Sequence, residues 1–312
     1  MKKIYLLNFK KDQVDLFKKK FSKCKFIDQK KVSNIINDCD AVLAPTRDTI
    51  LDALNNLDFK NKNLKWIHLP GSGAEEYINF FKNKNVTFTS GKKIQNHQVS
   101  DHAIGLYLCL TRKINYNLRF GQKVKFDQRP IELNKKIALI FGFGGNGQMI
   151  AKKLLSFNMK IISIDIKKKI KKNLTSYNFK NFDKSFSKAD VIFLTCPLSK
   201  ETKNIINSRT IKKMKRGSIL INVARAGLVD QSSVFKAVKS GYLAGAGLDV
   251  TEGEPLNEKH PLLKTQNIIV TPHTAGISDN SLERSLELYI ENIKRFLKGK
   301  KLINRIDKIR GF

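Results

Sequence analysis

Cysteine, proline and tryptophan are scarce in this sequence of 312 residues, at four, seven and one. Cys24, Cys39, Cys109 and Cys196 stand far apart and form no C-x-x-C pair, which excludes the common thiolate zinc and redox motifs. No metal is expected, and scattered thiols suit a reducing cytosol. Cys109 sits in an apolar run and reads as a core residue. Long hydrophobic runs are missing as well. The longest covers about eight residues, 103–110, against the roughly 20 that a membrane-spanning helix needs. The chain begins like a signal peptide, but Asn8, Lys10 and Lys11 cut the apolar stretch short. A cytoplasmic location without a membrane partner is the expectation.

Acid is the other shortage. Asp and Glu number 27 against 59 Lys and Arg, a formal net charge of +32. Such a surplus can mark a nucleic-acid or anionic-surface binder. Here the lysines come in short scattered clusters among abundant Asn and Ile, which is the pattern of compositional drift. Residues 221–255 hold three basic side chains (Arg225, Lys236, Lys239) and four acidic ones (Asp230, Asp249, Glu252, Glu254). The surplus avoids the segment richest in candidate chemistry, so nucleic acid is not an expected partner.

Apolar residues, in contrast, are plentiful. At 41% hydrophobic and 28% charged, the chain can build real cores and is neither disordered nor collagen-like. Its length favours two domains at roughly 100–200 residues each. Residues 4–9, 41–44, 64–69 and 86–89 read as strands, with helices at 15–21, 49–57 and 74–83 between them. Residues 99–117 read as one long apolar helix. A second series of strands follows at 137–141, 161–165, 191–195, 218–223, 244–250 and 267–271, and apolar spacing predicts a closing helix over 280–297. Strand–helix alternation implies parallel sheets covered on both faces.

Gly142-Phe143-Gly144-Gly145-Asn146-Gly147 fits G-x-G-x-x-G between the apolar strand 137–141 and a helix over 148–155. In that context the first glycine permits the turn, the second lets backbone approach a pyrophosphate, and the third lets helix and strand pack closely. Asp165 lies 23 residues after Gly142, at the end of the next strand. A carboxylate there accepts from the ribose hydroxyls and repels a 2′-phosphate, which favours NAD over NADP. Lys167, Lys168 and Lys169 follow and partly offset that repulsion. A glycine turn that merely caps its helix is the plainer alternative.

Arg225, Glu254 and His273 each fall just beyond a predicted strand, and open parallel sheets bind ligands beyond the carboxyl ends of their strands. Arg225 offers a rigid fork for a carboxylate and carbonyl. His273 can give a proton to oxygen as hydride reaches carbon. Glu254, bonded to that imidazole, would favour its protonated form. Taken singly, each has a plainer reading, as a strand-capping Arg, a surface Glu and a loop His; jointly, after a dinucleotide turn, they point to hydride transfer on a 2-oxo acid.

Residues 194–202 (LTCPLSKET), 221–230 (INVARAGLVD), 247–255 (GLDVTEGEP) and 271–276 (TPHTAG), taken in order, resemble the D-isomer-specific 2-hydroxyacid dehydrogenase family. The likeness is detailed over 99–276 and looser elsewhere. It implies Arg225 as substrate-binding and catalytic, His273 as acid/base and Glu254 as its partner, 29 residues after Arg225. It implies Asp249 near the nicotinamide carboxamide, with Thr195, Pro197, Val223 and Ala224 also on the cofactor. Ser72 and Gly73, in a stretch similar to the family's glycine loop, would grip the substrate carboxylate, and His102 would be structural.

The chain departs from the family pattern at Ala226 after Arg225, and at Gly145-Asn146, which would loosen packing at the phosphates. Glutamate rather than glutamine at 254 argues against the formate-oxidising branch, and a short form without a regulatory extension is the expectation.

The resulting expectation is an α/β protein of two domains, each with a parallel sheet. Residues 1–98 with 278–312 form a smaller, flavodoxin-like substrate domain, and 99–277 form a Rossmann dinucleotide-binding domain. The resemblance also implies a homodimer and a small anionic 2-oxo or 2-hydroxy acid as substrate. The alternatives are a non-catalytic NAD(H)-sensing regulator or nucleic-acid binder on this scaffold, and a dehydrogenase of another small anion such as phosphite.

Overall fold

The structure, a computed structural model, describes residues 1–29, 38–82, 85–120, 129–166, 174–179 and 182–309. The chain forms two compact units, Met1–Gln95 with Ser278–Phe312, and Asn96–Ile277.

The first unit is built on β1 (Lys2–Leu7), β2 (Cys24–Gln29), β3 (Ala41–Leu43), β4 (Trp66–Leu69) and β5 (Thr87–Ser90). All pair in parallel, in the order β2-β1-β3-β4-β5. That is the flavodoxin-like order, whose sequence reversal beside β1 requires helices on both faces. One face buries Val42, Ile67 and Phe88 under Ile50 and Leu54. The other buries Ile4, Leu6 and Trp66 against Phe17 and against Tyr289 and Ile293 of helix Ser281–Leu297.

The second unit holds β6 (Ile137–Phe141), β7 (Lys160–Asp165), β8 (Leu174–Asn178), β9 (Val191–Leu194), β10 (Ile219–Asn222), β11 (Gly245–Leu248) and β12 (Ile268–Val270). The order is β12-β11-β10-β9-β6-β7-β8, parallel throughout. Counted from β6 this is the Rossmann order, with its switch point between β6 and β9. β6 is buried on both faces, as its unbroken apolar sequence requires. The α/β expectation of two parallel sheets holds.

Three local expectations differ. The apolar stretch over 99–117 is two helices, Asn96–Thr111 and Ile114–Phe120. The break falls at Lys113, whose φ of 59° is left-handed, a conformation that a lysine does not announce. The helix placed at 74–83 is a 3-10 helix, Glu75–Lys82. Cys109 is half-buried, whereas Cys24, Cys39 and Cys196 are buried, and all four are free. Among the described residues no helix is long and apolar enough to cross a membrane. Lys167, Lys168 and Lys169 lie outside the described residues.

Candidate active site

The glycine turn leaves β6 as read from the sequence. Gly142 has φ +98°, and a Cβ on it would stand 2.5 Å from the Cys196 amide nitrogen. A Cβ on Gly147 would collide with the Gly142 carbonyl oxygen, so the third glycine sets how closely the helix Gly145–Leu155 packs. At Gly144, in contrast, a Cβ would meet nothing within 4 Å. The first turn of the helix has no side-chain cap, which leaves its amides for an anion. Open space above uncapped amides is what a dinucleotide pyrophosphate requires, and the turn fits that group.

Around the turn several side chains act as braces. Asp165 Oδ2 accepts from the Phe143 amide at 2.9 Å and Oδ1 from Ile166 at 2.7 Å, so the acid at the end of β7 is fixed beside the glycines. Thr195 donates its hydroxyl to the Gly142 carbonyl at 2.6 Å. The Pro197 carbonyl accepts from Thr202 at 2.9 Å, which folds the loop after β9. Burial pushes the Cys196 thiol up to about 12, so it is packing and not a nucleophile. Gly145, where a looser contact was expected, faces the carboxamide of Asn96. That side chain takes the space a residue at 145 would otherwise fill.

Three strand ends carry the remaining candidates. β10, β11 and β12 are adjacent, with Asn222 level with Leu248 and Leu248 level with Val270. Beyond β10, the buried Asn222 accepts from the Ala224 amide at 3.1 Å and donates to the Arg225 carbonyl at 2.9 Å. It thereby ties down the Val223–Ala224–Arg225 turn. Arg225 itself donates to the Ala224 carbonyl at 2.7 Å. Beyond β12, His273 adopts a left-handed φ of 55°. Its amide donates to the carbonyls of Asp249, at 2.8 Å, and Thr271, at 3.0 Å. Its Nδ1 meets Glu254 Oε1 at 2.7 Å, with 52% of the imidazole and 36% of the carboxylate side chain exposed. Glu254 Oε2 accepts from the Thr251 amide at 3.2 Å. With Nδ1 occupied by a carboxylate, Nε2 is the nitrogen left for a ligand.

Asp249 is 1% exposed. Oδ1 accepts from Thr271 at 2.7 Å and the Thr274 amide at 2.9 Å, Oδ2 from the Ala275 amide at 3.0 Å, and His102 Nε2 stands 3.3 Å from Oδ1. Burial acts to raise the pKa of this carboxyl, but His102, Thr271 and the two amides outweigh it and hold the group below its ordinary value. Ser72 and Gly73 lie in the first unit, just after β4, with Ser72 Oγ 3.5 Å from Gln95 Oε1. Sequence reading missed Asn96 and Thr271, whose parts come from contacts across the fold, and Asn222, which braces the turn that follows it.

Residues 104–275 match the family model described as the D-isomer specific 2-hydroxyacid dehydrogenase, NAD binding domain. The chain is 37% identical over 224 residues to a glyoxylate reductase of Thermofilum pendens, across 69% of this chain and 65% of that relative, just under two thirds of its length. It is 30% identical over 250 residues to a hydroxypyruvate reductase of Blautia hydrogenotrophica, across 77% of this chain and 78% of that one. Its fold is similar to that of an NADPH-dependent glyoxylate/hydroxypyruvate reductase of Sinorhizobium meliloti, solved with NADP and sulfate. The TM-score is 0.85 at 22% identity, with both chains covered completely.

Proposed function

The chain belongs to the D-isomer specific 2-hydroxyacid dehydrogenase family, and from that premise we propose that it reduces a short 2-oxo acid reversibly to its D-2-hydroxy acid, with Arg225, Glu254 and His273 as the working side chains. The bound nicotinamide supplies the hydride. Arg225 holds the substrate carboxylate and polarises the carbonyl. His273 Nε2 delivers the proton to the carbonyl oxygen and takes it back in the oxidative direction. Glu254 fixes the ring through Nδ1 and stabilises its protonated form. The observation that carries this reading is the 2.7 Å His273–Glu254 pair beyond β12, on the same sheet as β10, whose end leads into the Arg225 turn.

In this reading Gly142, Gly144, Gly145, Asn146 and Gly147 receive the pyrophosphate. Asp165 takes the adenosine ribose, and Thr195, Pro197, Val223, Ala224 and Asp249 line the path to the nicotinamide. Ser72 and Gly73 bind the substrate carboxylate. Asp165 favours NAD over NADP, because its carboxylate would face a 2′-phosphate. Cytoplasmic location and a homodimer joined through the cofactor unit belong to the same proposal. The test is consumption of NADH and of NADPH with glyoxylate, hydroxypyruvate, phosphohydroxypyruvate and larger 2-oxo acids. The expected outcome is turnover of at least one acid, faster with NADH. Turnover of none, together with affinity for DNA that falls steeply with salt, would support the nucleic-acid reading instead.

A further inference from the structure

The helix Asn96–Thr111 crosses β11 in a register that its glycines permit. A Cβ on Gly247 would stand 3.0 Å from Leu106 Cβ, and one on Gly245 would stand 3.0 Å from Leu110 Cδ2. Four helical residues rise about 6 Å and two strand residues about 6.6 Å, so the two rows keep step. Leu110 faces Gly245 and Leu106 faces Gly247. The next pair in the series is His102 with Asp249, one helical turn and two strand residues further on.

That pair meets. His102 Nε2 is 2.8 Å from Thr271 Oγ1 and 3.3 Å from Asp249 Oδ1. Thr271 gives its own hydroxyl proton to Asp249, so its oxygen accepts from the imidazole and His102 is protonated on Nε2. One turn earlier on the same helix face, Gln98 donates to the Gly276 carbonyl at 3.2 Å. Both side chains therefore grip the 271–276 loop, and His273 sits inside it in a left-handed conformation that only surrounding contacts can hold.

We propose that His102 is a positioning residue for the reaction: through Thr271 and Asp249 it fixes the loop that aims His273 at its proton-transfer partner. This rests on the reading of His273 as the acid/base. The chain has five histidines, so the His273 ring proton can be assigned by its loss in His273→Gln, and in the apo protein it reports the loop without any turnover. In His102→Ala the His273 resonance moves and broadens. In His102→Gln, whose amide reaches the same oxygens, it returns to the wild-type position. In the reductase assay His102→Ala lowers kcat roughly tenfold with little change in KM, and His102→Gln recovers most of the loss. His102→Ala combined with Thr271→Val costs no more than the larger single change, because both break one network.

An unmoved His273 resonance in His102→Ala overturns the proposal. So does a lowered melting temperature with kcat intact, or a Gln variant as impaired as Ala. Absence of wild-type turnover on every 2-oxo acid would count against the function proposed above, while the resonance of His273 would still decide the part played by His102.

Discussion

His273→Ala and Arg225→Ala each lower kcat/KM by a hundredfold or more, a loss of about 3 kcal/mol of transition-state stabilisation or greater. The two losses differ in kind. Without His273 no side chain gives the carbonyl oxygen its proton, so the fall is in kcat. Without Arg225 the carboxylate loses its forked partner, so KM rises as kcat falls, and Arg225→Lys restores little because a point charge cannot reproduce the fork. Glu254→Gln costs less than either, since an amide oxygen still accepts from Nδ1. Half of the His273 side chain is exposed, so His273→Ala leaves the melting temperature nearly unchanged. Steady-state kinetics beside thermal unfolding check both claims.

Acid destabilises the first unit through His68. This residue on β4 is 2% exposed, and burial pushes its pKa down to about 3. Trp66 donates to Thr89 Oγ1 at 2.8 Å, and His68 Nδ1 lies 2.8 Å from the same oxygen. Protonating the ring would bury a charge. The unfolded chain binds a proton near pH 6.5 that the folded chain refuses until about pH 3. His68 therefore contributes its full stability above pH 6.5 and loses it as the pH falls, by about 1.4 kcal/mol per unit. Between about pH 6.5 and 5, ordinary carboxyls change little, so the slope in that window belongs largely to His68. Denaturant unfolding at several pH values shows the slope in the wild type, and His68→Gln flattens it while lowering stability at neutral pH.

The parts of this molecule that the sequence made legible are those whose chemistry is local. β6 is apolar end to end because both of its faces are covered, and Gly142, Gly144 and Gly147 follow it at fixed spacing. Arg225, Glu254 and His273 could be placed beyond strand ends, since each strand before them is a short apolar run. Among the edge strands, β5 and β12 were legible as short runs, while β2 and β8 were not. Among the described residues β2 and β8 each pair with one strand and stay largely half-buried, and Cys24–Gln29 and Leu174–Asn178 mix polar and apolar residues and carry no strand signature.

Braces were equally hidden. Asn222 matters because two backbone groups lie beside its amide, and Thr271 because it stands between His102 and Asp249. The Asn222 contacts lie within three residues of it, whereas that of Thr271 with His102 depends on which helix crosses which strand. The clue for His102 lay in Gly245 and Gly247, read in the sequence as part of a strand, whose missing side chains let the helix come close.

The most direct measurement is a structure of the protein bound to NADH and oxamate, a non-reacting mimic of a 2-oxo acid. The account places the Arg225 guanidinium on the oxamate carboxylate and His273 Nε2 within about 3 Å of its carbonyl oxygen, with Nδ1 still on Glu254. An oxamate held elsewhere, or an imidazole turned away from it with Arg225 unengaged, would contradict the account.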